Sequence, residues 1–197
     1  MWVVVLSVCS CSNHSIPELK TGDIVFQTSR SSQSLAVQRA TGSRYSHMGI
    51  VIIQGGKPFV FEAIKTVRYT PLDKWIARGE HQHVVVKRLK NAITVLNGET
   101  LNKLELAAQQ FEGRPYDLTF EWSDERIYCS ELVWKLFDRA AGIHVGELQT
   151  IKDFNLDEPI VKQKLKERYG DHIPLNEPVI SPVAMFNAAE LETVYEQ

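Results

Sequence analysis

Cys129 begins the run CSELVWKLFDRAA, in which Leu132, Val133, Leu136, Phe137 and Ala140 recur at helical spacing before Gly142 supplies a stop. The cysteine is therefore predicted as the first residue of an amphipathic helix. Unsatisfied backbone N–H groups and the positive end of the helix dipole favour a thiolate there. The same donors can hold the oxyanion that forms when a thiolate attacks a carbonyl. A single cysteine beside Leu and Trp also fits an inert buried side chain, so position alone does not decide.

A cysteine nucleophile needs a base. Of six histidines, His47 opens the strongly apolar run HMGIVII after the polar loop 43–46. That run and residues 59–64 (FVFEAI) read as two strands joined by Gln54-Gly55-Gly56-Lys57, and a Gly-Gly pair there signals a hairpin. With the turn centred on the glycines, paired positions sum to 111, so Glu62 faces Gly49 and lies diagonal to His47 on the same sheet face. Such diagonal neighbours sit about 7–8 Å apart, which long side chains bridge, and Gly49 leaves the space between them open. Glu62 is the one charged residue of its strand and needs a partner. An imidazole held in one tautomer would supply it; pairing with Arg68 or Lys65, or an outward-facing carboxylate with His47 merely ending a strand, are the alternatives.

Competing chemistries have less support. There is no C-x-x-C, no H-E-x-x-H and no phosphate-cradling glycine loop, and His81 with His83 is an isolated H-x-H, so neither metal nor cofactor is expected. Lys plus Arg 22 against Asp plus Glu 24 gives a net charge of −2, without the basic excess of a dedicated nucleic-acid binder.

The elements that must position these residues read in order as a strand at 23–27, a serine-capped helix over 35–41 ended by Gly42, the hairpin, a helix over 72–78, a strand at 83–89, and helices over 100–111 and 129–141. Beyond Gly142 the pattern weakens to a helix over 160–169, then a short strand near Val179 and a capped C-terminal helix. A length of 197 residues with 44% hydrophobic and 23% charged residues fits one globular domain, predicted over 20–197. Three cysteines, two of them crowded at Cys9 and Cys11, make no disulfide framework. Residues 1–19 read as a secretory or lipoprotein-like leader and short linker, with Val8-Cys9-Ser10-Cys11 like a lipidation box whose acceptor is Cys11. Membrane anchoring through the N-terminus and a periplasmic or envelope location follow as expectations; a short buried strand is the alternative.

Five stretches together resemble the YiiX-like proteins, bacterial permuted papain-like cysteine hydrolases related to NlpC-type cell-wall peptidases and to lecithin–retinol acyltransferase. They are residues 22–34 (GDIVFQTSRSSQS), 45–50 (YSHMGI), 61–63 (FEA), 113–117 (GRPYD) and 128–132 (YCSEL). The resemblance implies an α+β, circularly permuted papain-like fold: an antiparallel barrel-like sheet carrying histidine and acid, packed against the helix that begins with the cysteine. It implies Cys129 as nucleophile, His47 as base and Glu62 as the orienting acid. Tyr45, Tyr128 and Ser130 become candidates to line the pocket or donate to the oxyanion, with core packing the alternative for the tyrosines. Asp23, also in a matching stretch, can be structural. The implied activity is cleavage of an amide, of murein or γ-glutamyl type, through an acyl-enzyme. An acyltransferase or lipid esterase on the same triad is the first alternative. A non-catalytic envelope binding module is the second, although such a module would be free to lose the three residues. The substrate would be a small peptide, amide or lipid ester; oligomeric state does not follow from the sequence.

Overall fold

The computed structural model describes residues 18–197, so the leader reading and Cys11 lie outside the described residues. The chain runs β1 (Ile24–Gln27), α1 (Ser32–Thr41), β2 (His47–Gln54), β3 (Lys57–Ala63), β4 (Val67–Pro71), α2 (Leu72–Arg78), β5 (Val85–Leu89), α3 (Ala92–Val95), α4 (Gly98–Phe111), α5 (Cys129–Ala141), β6 (Gln149–Thr150), α6 (Pro159–Tyr169), β7 (Pro178–Val179), α7 (Pro182–Phe186) and β8 (Leu191–Glu196). Six strands form an antiparallel sheet in the order β4-β3-β2-β1-β5-β8, and β6 pairs with β7 apart from it. This is the α+β, permuted papain-like architecture anticipated above.

Both faces of the sheet centre are covered, which explains the unbroken apolar runs in β1 and β2. Strand alternation sends Ile24, Phe26, Met48, Ile50 and Phe61 into one core with α4 and α5. Val25, Val51 and Val60 go to the other, against Leu72 and Trp75 of α2. Leu132, Val133, Leu136 and Phe137 of α5 are fully buried, and each such side chain contributes about 1.5–3 kcal/mol relative to exposure. Together they outweigh any single helix cap at about 1 kcal/mol, so packing holds the cysteine-bearing helix in place.

The hairpin forms in the expected register. Ile50 faces Phe61 and Gln54 faces Lys57, through a turn in which Gly55 and Gly56 take φ of 55° and 75°, the left-handed pair that a type I′ turn needs. Gly49 is a close approach: a Cβ there would meet Val60 Cγ1 at 2.4 Å, the Phe61 carbonyl oxygen at 2.9 Å and Glu62 Cβ at 3.3 Å.

Two strands of the six-stranded sheet escape the sequence pattern. β4 and β8 are the sheet edges, and in β8 only Leu191 is buried, so neither shows a clean alternation. The expected C-terminal helix is the five-residue α7, capped by Ser181, whose Oγ accepts from the Ala184 N–H. The chain then returns as β8 because β5 offers it an open edge.

Candidate active site

The matching stretches act first as scaffolding. Asp23, buried at the start of β1, takes two hydrogen bonds from Arg88 of β5 at 2.6 and 2.7 Å, so its role is structural. Asp117, also buried, accepts from the Thr119 and Glu121 N–H groups at 2.8 and 2.6 Å and organises the loop before α5. A bridge between Tyr116 and Ile127 brings Tyr116 beside the start of that helix.

Cys129, His47 and Glu62 come together. His47 is the first residue of β2 and Cys129 the first of α5; the imidazole is hydrogen-bonded to the carboxylate and interacts with the thiol. His47 Nε2 lies 2.6 Å from Glu62 Oε2, so the nitrogen left for the thiol is Nδ1. Glu62 has no exposure, and both oxygens are occupied. Oε1 accepts from Thr70 Oγ1 at 2.6 Å and Arg78 Nη2 at 2.7 Å; Oε2 accepts from the same Arg78 nitrogen at 2.6 Å as well as from His47. The cation on Glu62 is therefore Arg78 of α2. Arg68, its cross-strand neighbour in the β3–β4 register, is not that partner. Trp75, one helical turn before Arg78, stacks on the imidazole with ring centres 6.1 Å apart.

These contacts set the charge states. Burial alone would lower the pKa of His47, yet hydrogen bonds to Cys129 and Glu62 and the charge of both hold it up at about 9. Burial alone would raise that of Glu62; His47 first, then Arg78 and Thr70, bring it down to about 2. One turn into α5, Glu131 is raised to about 7 by burial, against the opposing pull of Lys135 at 2.8 Å.

The other candidates sort by contact. Tyr128 and Ser130 clamp one segment: the Tyr128 hydroxyl accepts from the Ile180 N–H at 3.0 Å, and Ser130 Oγ donates to the Ile180 carbonyl at 2.8 Å. Both line the cleft at Cys129. Tyr45 stands outside that cleft, stacked on Phe186 at 4.0 Å between ring centres. Tyr116, assigned no role from the sequence, is the tyrosine that lines the cleft with Cys129 and interacts electrostatically with it. Its pKa is pushed well up, first by burial and then by the charge of Cys129, so the phenol remains a donor. The GRPYD motif was the available signal.

The chain matches, over residues 18–195, the family described as permuted papain-like amidase enzymes, YaeF/YiiX, C92. The chain belongs to this family. It is 52% identical over 178 residues to YiiX of Escherichia coli K12, an uncharacterised protein, covering 90% of this chain and 87% of that one. The crystal structure of metalloprotein yiiX from Escherichia coli O157:H7 superposes with a TM-score of 0.85 at 52% identity, covering 90% of this chain and 97% of that one. The family makes the protein a cysteine amidohydrolase-type enzyme. Among the described residues no three His, Cys, Asp or Glu side chains group to hold an ion, and His47 and Glu62 are committed to each other.

Stability should follow these ionisations. Glu62, depressed to about 2, contributes stability above about pH 4.5 that is lost as pH falls towards 2, on the order of 3 kcal/mol. His47, raised to about 9, contributes fully below about pH 6.5, and its share is lost as pH rises through 9. Glu131, raised to about 7, loses its share between about pH 4.5 and 7. Urea unfolding should therefore show its maximum in mildly acidic buffer; stability still climbing from pH 6.5 to 9 would contradict this reading of His47.

Proposed function

We propose that the chain hydrolyses an amide bond through a Cys129–His47–Glu62 triad and an acyl-enzyme. The observation that carries this reading is one imidazole held between a thiol and a fully buried carboxylate. The thiol proton already resides on His47, held up at about 9, when Cys129 Sγ bonds to the substrate carbonyl carbon. The developing oxyanion is met by backbone N–H groups of the first turn of α5 and by the Tyr116 phenol. The imidazolium, supported by Glu62, protonates the leaving amine as the C–N bond breaks. Water then attacks the thioester with His47 as base, releasing the acid and restoring the thiol. Arg78 and Thr70 act as positioning residues through Glu62.

A murein-type or γ-glutamyl peptide is the amide suggested by the related NlpC-type peptidases. One observation favours a second reading, an acyl-chain amide or ester: the cleft at Cys129 has a predominantly apolar wall. The shared chemistry is tested by iodoacetamide labelling at pH 7 with Cys129 read by peptide mass. The His47→Ala variant should react about tenfold more slowly or less than the wild type. Equal rates in a folded variant would remove His47 as the base.

A further inference from the structure

Cys129 and His47 belong to different elements, the start of α5 and the start of β2, so their reactivity depends on what holds those two ends together. A displacement of about 1 Å in such a pair can cost a hundredfold in rate. One short segment, residues 180–186, is fastened to both.

At the cysteine end the fastening is polar. The residues on either side of Cys129 hold Ile180: its N–H donates to the Tyr128 hydroxyl at 3.0 Å, and its carbonyl accepts from Ser130 Oγ at 2.8 Å. All three residues are buried, where a hydrogen bond is stronger than in water. The segment continues at once into α7, with Ser181 as cap and Pro182 in the first turn, which leaves it little freedom to stretch. Gly146, in the loop after α5, presses on α7 from outside: a Cβ there would meet the Ala184 carbonyl oxygen at 2.8 Å.

The histidine end is fastened by rings. Phe186 stacks on Tyr45, two residues before His47, with ring centres 4.0 Å and planes 20° apart. It also meets Phe26 of β1 edge-on at 5.2 Å, and Phe26 pairs with Met48, the residue after His47. Lys87 of β5 lies over the Phe186 ring at 4.3 Å and donates to the Phe186 carbonyl at 2.5 Å. Ring contacts are directional as well as attractive, so Phe186 fixes Tyr45 and with it the entry of the chain into β2. Tyr45 and Tyr128, which flank the two catalytic residues in sequence, are thus anchors for the two ends of one segment.

We propose that residues 180–186 form a strap that sets the separation of Cys129 and His47, with Tyr128, Phe186 and Tyr45 as positioning residues. This rests on the triad reading above. Releasing either end frees the same displacement, so releasing both adds little to releasing one. Two unconnected contacts would instead combine their effects in full.

The test is iodoacetamide labelling of the whole chain from pH 5 to 9, with Cys129 read by peptide mass and folding checked by thermal melt. His47→Ala gives the profile of an unassisted thiol. Phe186→Leu should lower the Cys129 rate at pH 6 about tenfold and approach the wild-type rate at pH 9, where a free thiol ionises without help. Tyr45→Leu breaks the same stack from the other side and should do the same, while Tyr45→Phe and Phe186→Tyr, which keep both rings, should stay within about twofold of wild type. Tyr128→Phe with Ser130→Ala frees the cysteine end; adding Phe186→Leu to that pair should leave the rate at pH 6 about where either release alone puts it. A rate lowered evenly at every pH would mean altered access to the thiol and overturns the strap. Folded variants with the wild-type profile, or effects of the two ends that multiply to about a hundredfold, also overturn it and leave the triad standing. A wild-type profile in folded His47→Ala overturns the triad and the strap together.

Discussion

Cys129→Ala is expected to lower kcat/KM for any amide the enzyme turns over by about ten-thousandfold or more. Removing the nucleophile removes the covalent path entirely, and what remains is catalysis by binding and oxyanion donors alone. The magnitude is diagnostic because the fold should survive. The cysteine is buried at the start of α5, whose apolar stripe from Leu132 to Ala140 is untouched, so the stability cost should be on the order of 1 kcal/mol. Turnover measured beside a thermal melt separates the two effects. A folded alanine variant retaining a substantial share of wild-type turnover would mean that another group attacks the carbonyl.

Glu62→Gln should produce the second largest effect, a fall in kcat of about a thousandfold or more. The equivalent change in the serine protease triad costs about 10⁴, because an amide in place of the carboxylate allows the wrong imidazole tautomer and no longer supports the imidazolium. Here the carboxylate is the acceptor at 2.6 Å that leaves Nδ1 free for the thiol. The variant also leaves Arg78 without its carboxylate. With 38% of that side chain exposed, water screens the loss, and the cost should stay near 1–3 kcal/mol, below the 3–5 kcal/mol typical of a wholly buried pair. A purely structural defect would lower activity evenly across pH. Loss of one of the two groups that hold His47 at about 9 should instead move the alkaline limb of the pH–rate profile to lower pH. An unchanged profile with near-normal kcat would remove Glu62 from the triad.

Much of this site was legible because its geometry is local or periodic. The Gly55–Gly56 turn sets the β2–β3 register, and the register puts Glu62 on the His47 face; a one-residue slip would have sent them to opposite faces. The Cys129 helix carries its own stripe and stop in consecutive residues. Arg78 was hidden for the opposite reason. It reaches Glu62 from a helix that begins nine residues after the hairpin's second strand, and Arg68, directly across the sheet, was the nearer cation in sequence. Tyr116 stood in a matching motif, but its place beside Cys129 depends on how the loop organised by Asp117 folds back. Tyr45, adjacent to the histidine by two positions, turned instead to Phe186 from the far end of the chain.

By itself, then, the sequence determined the amphipathic helix behind Cys129 and the hairpin behind His47 and Glu62, because period, turn type and helix ends are set by neighbouring residues. Tertiary structure decided which cation secures Glu62, which tyrosine lies by the thiol, and how β8 closes onto β5. Each of these depends on contacts between segments far apart in the chain, where many partners satisfy the same local pattern and only packing of the whole selects one.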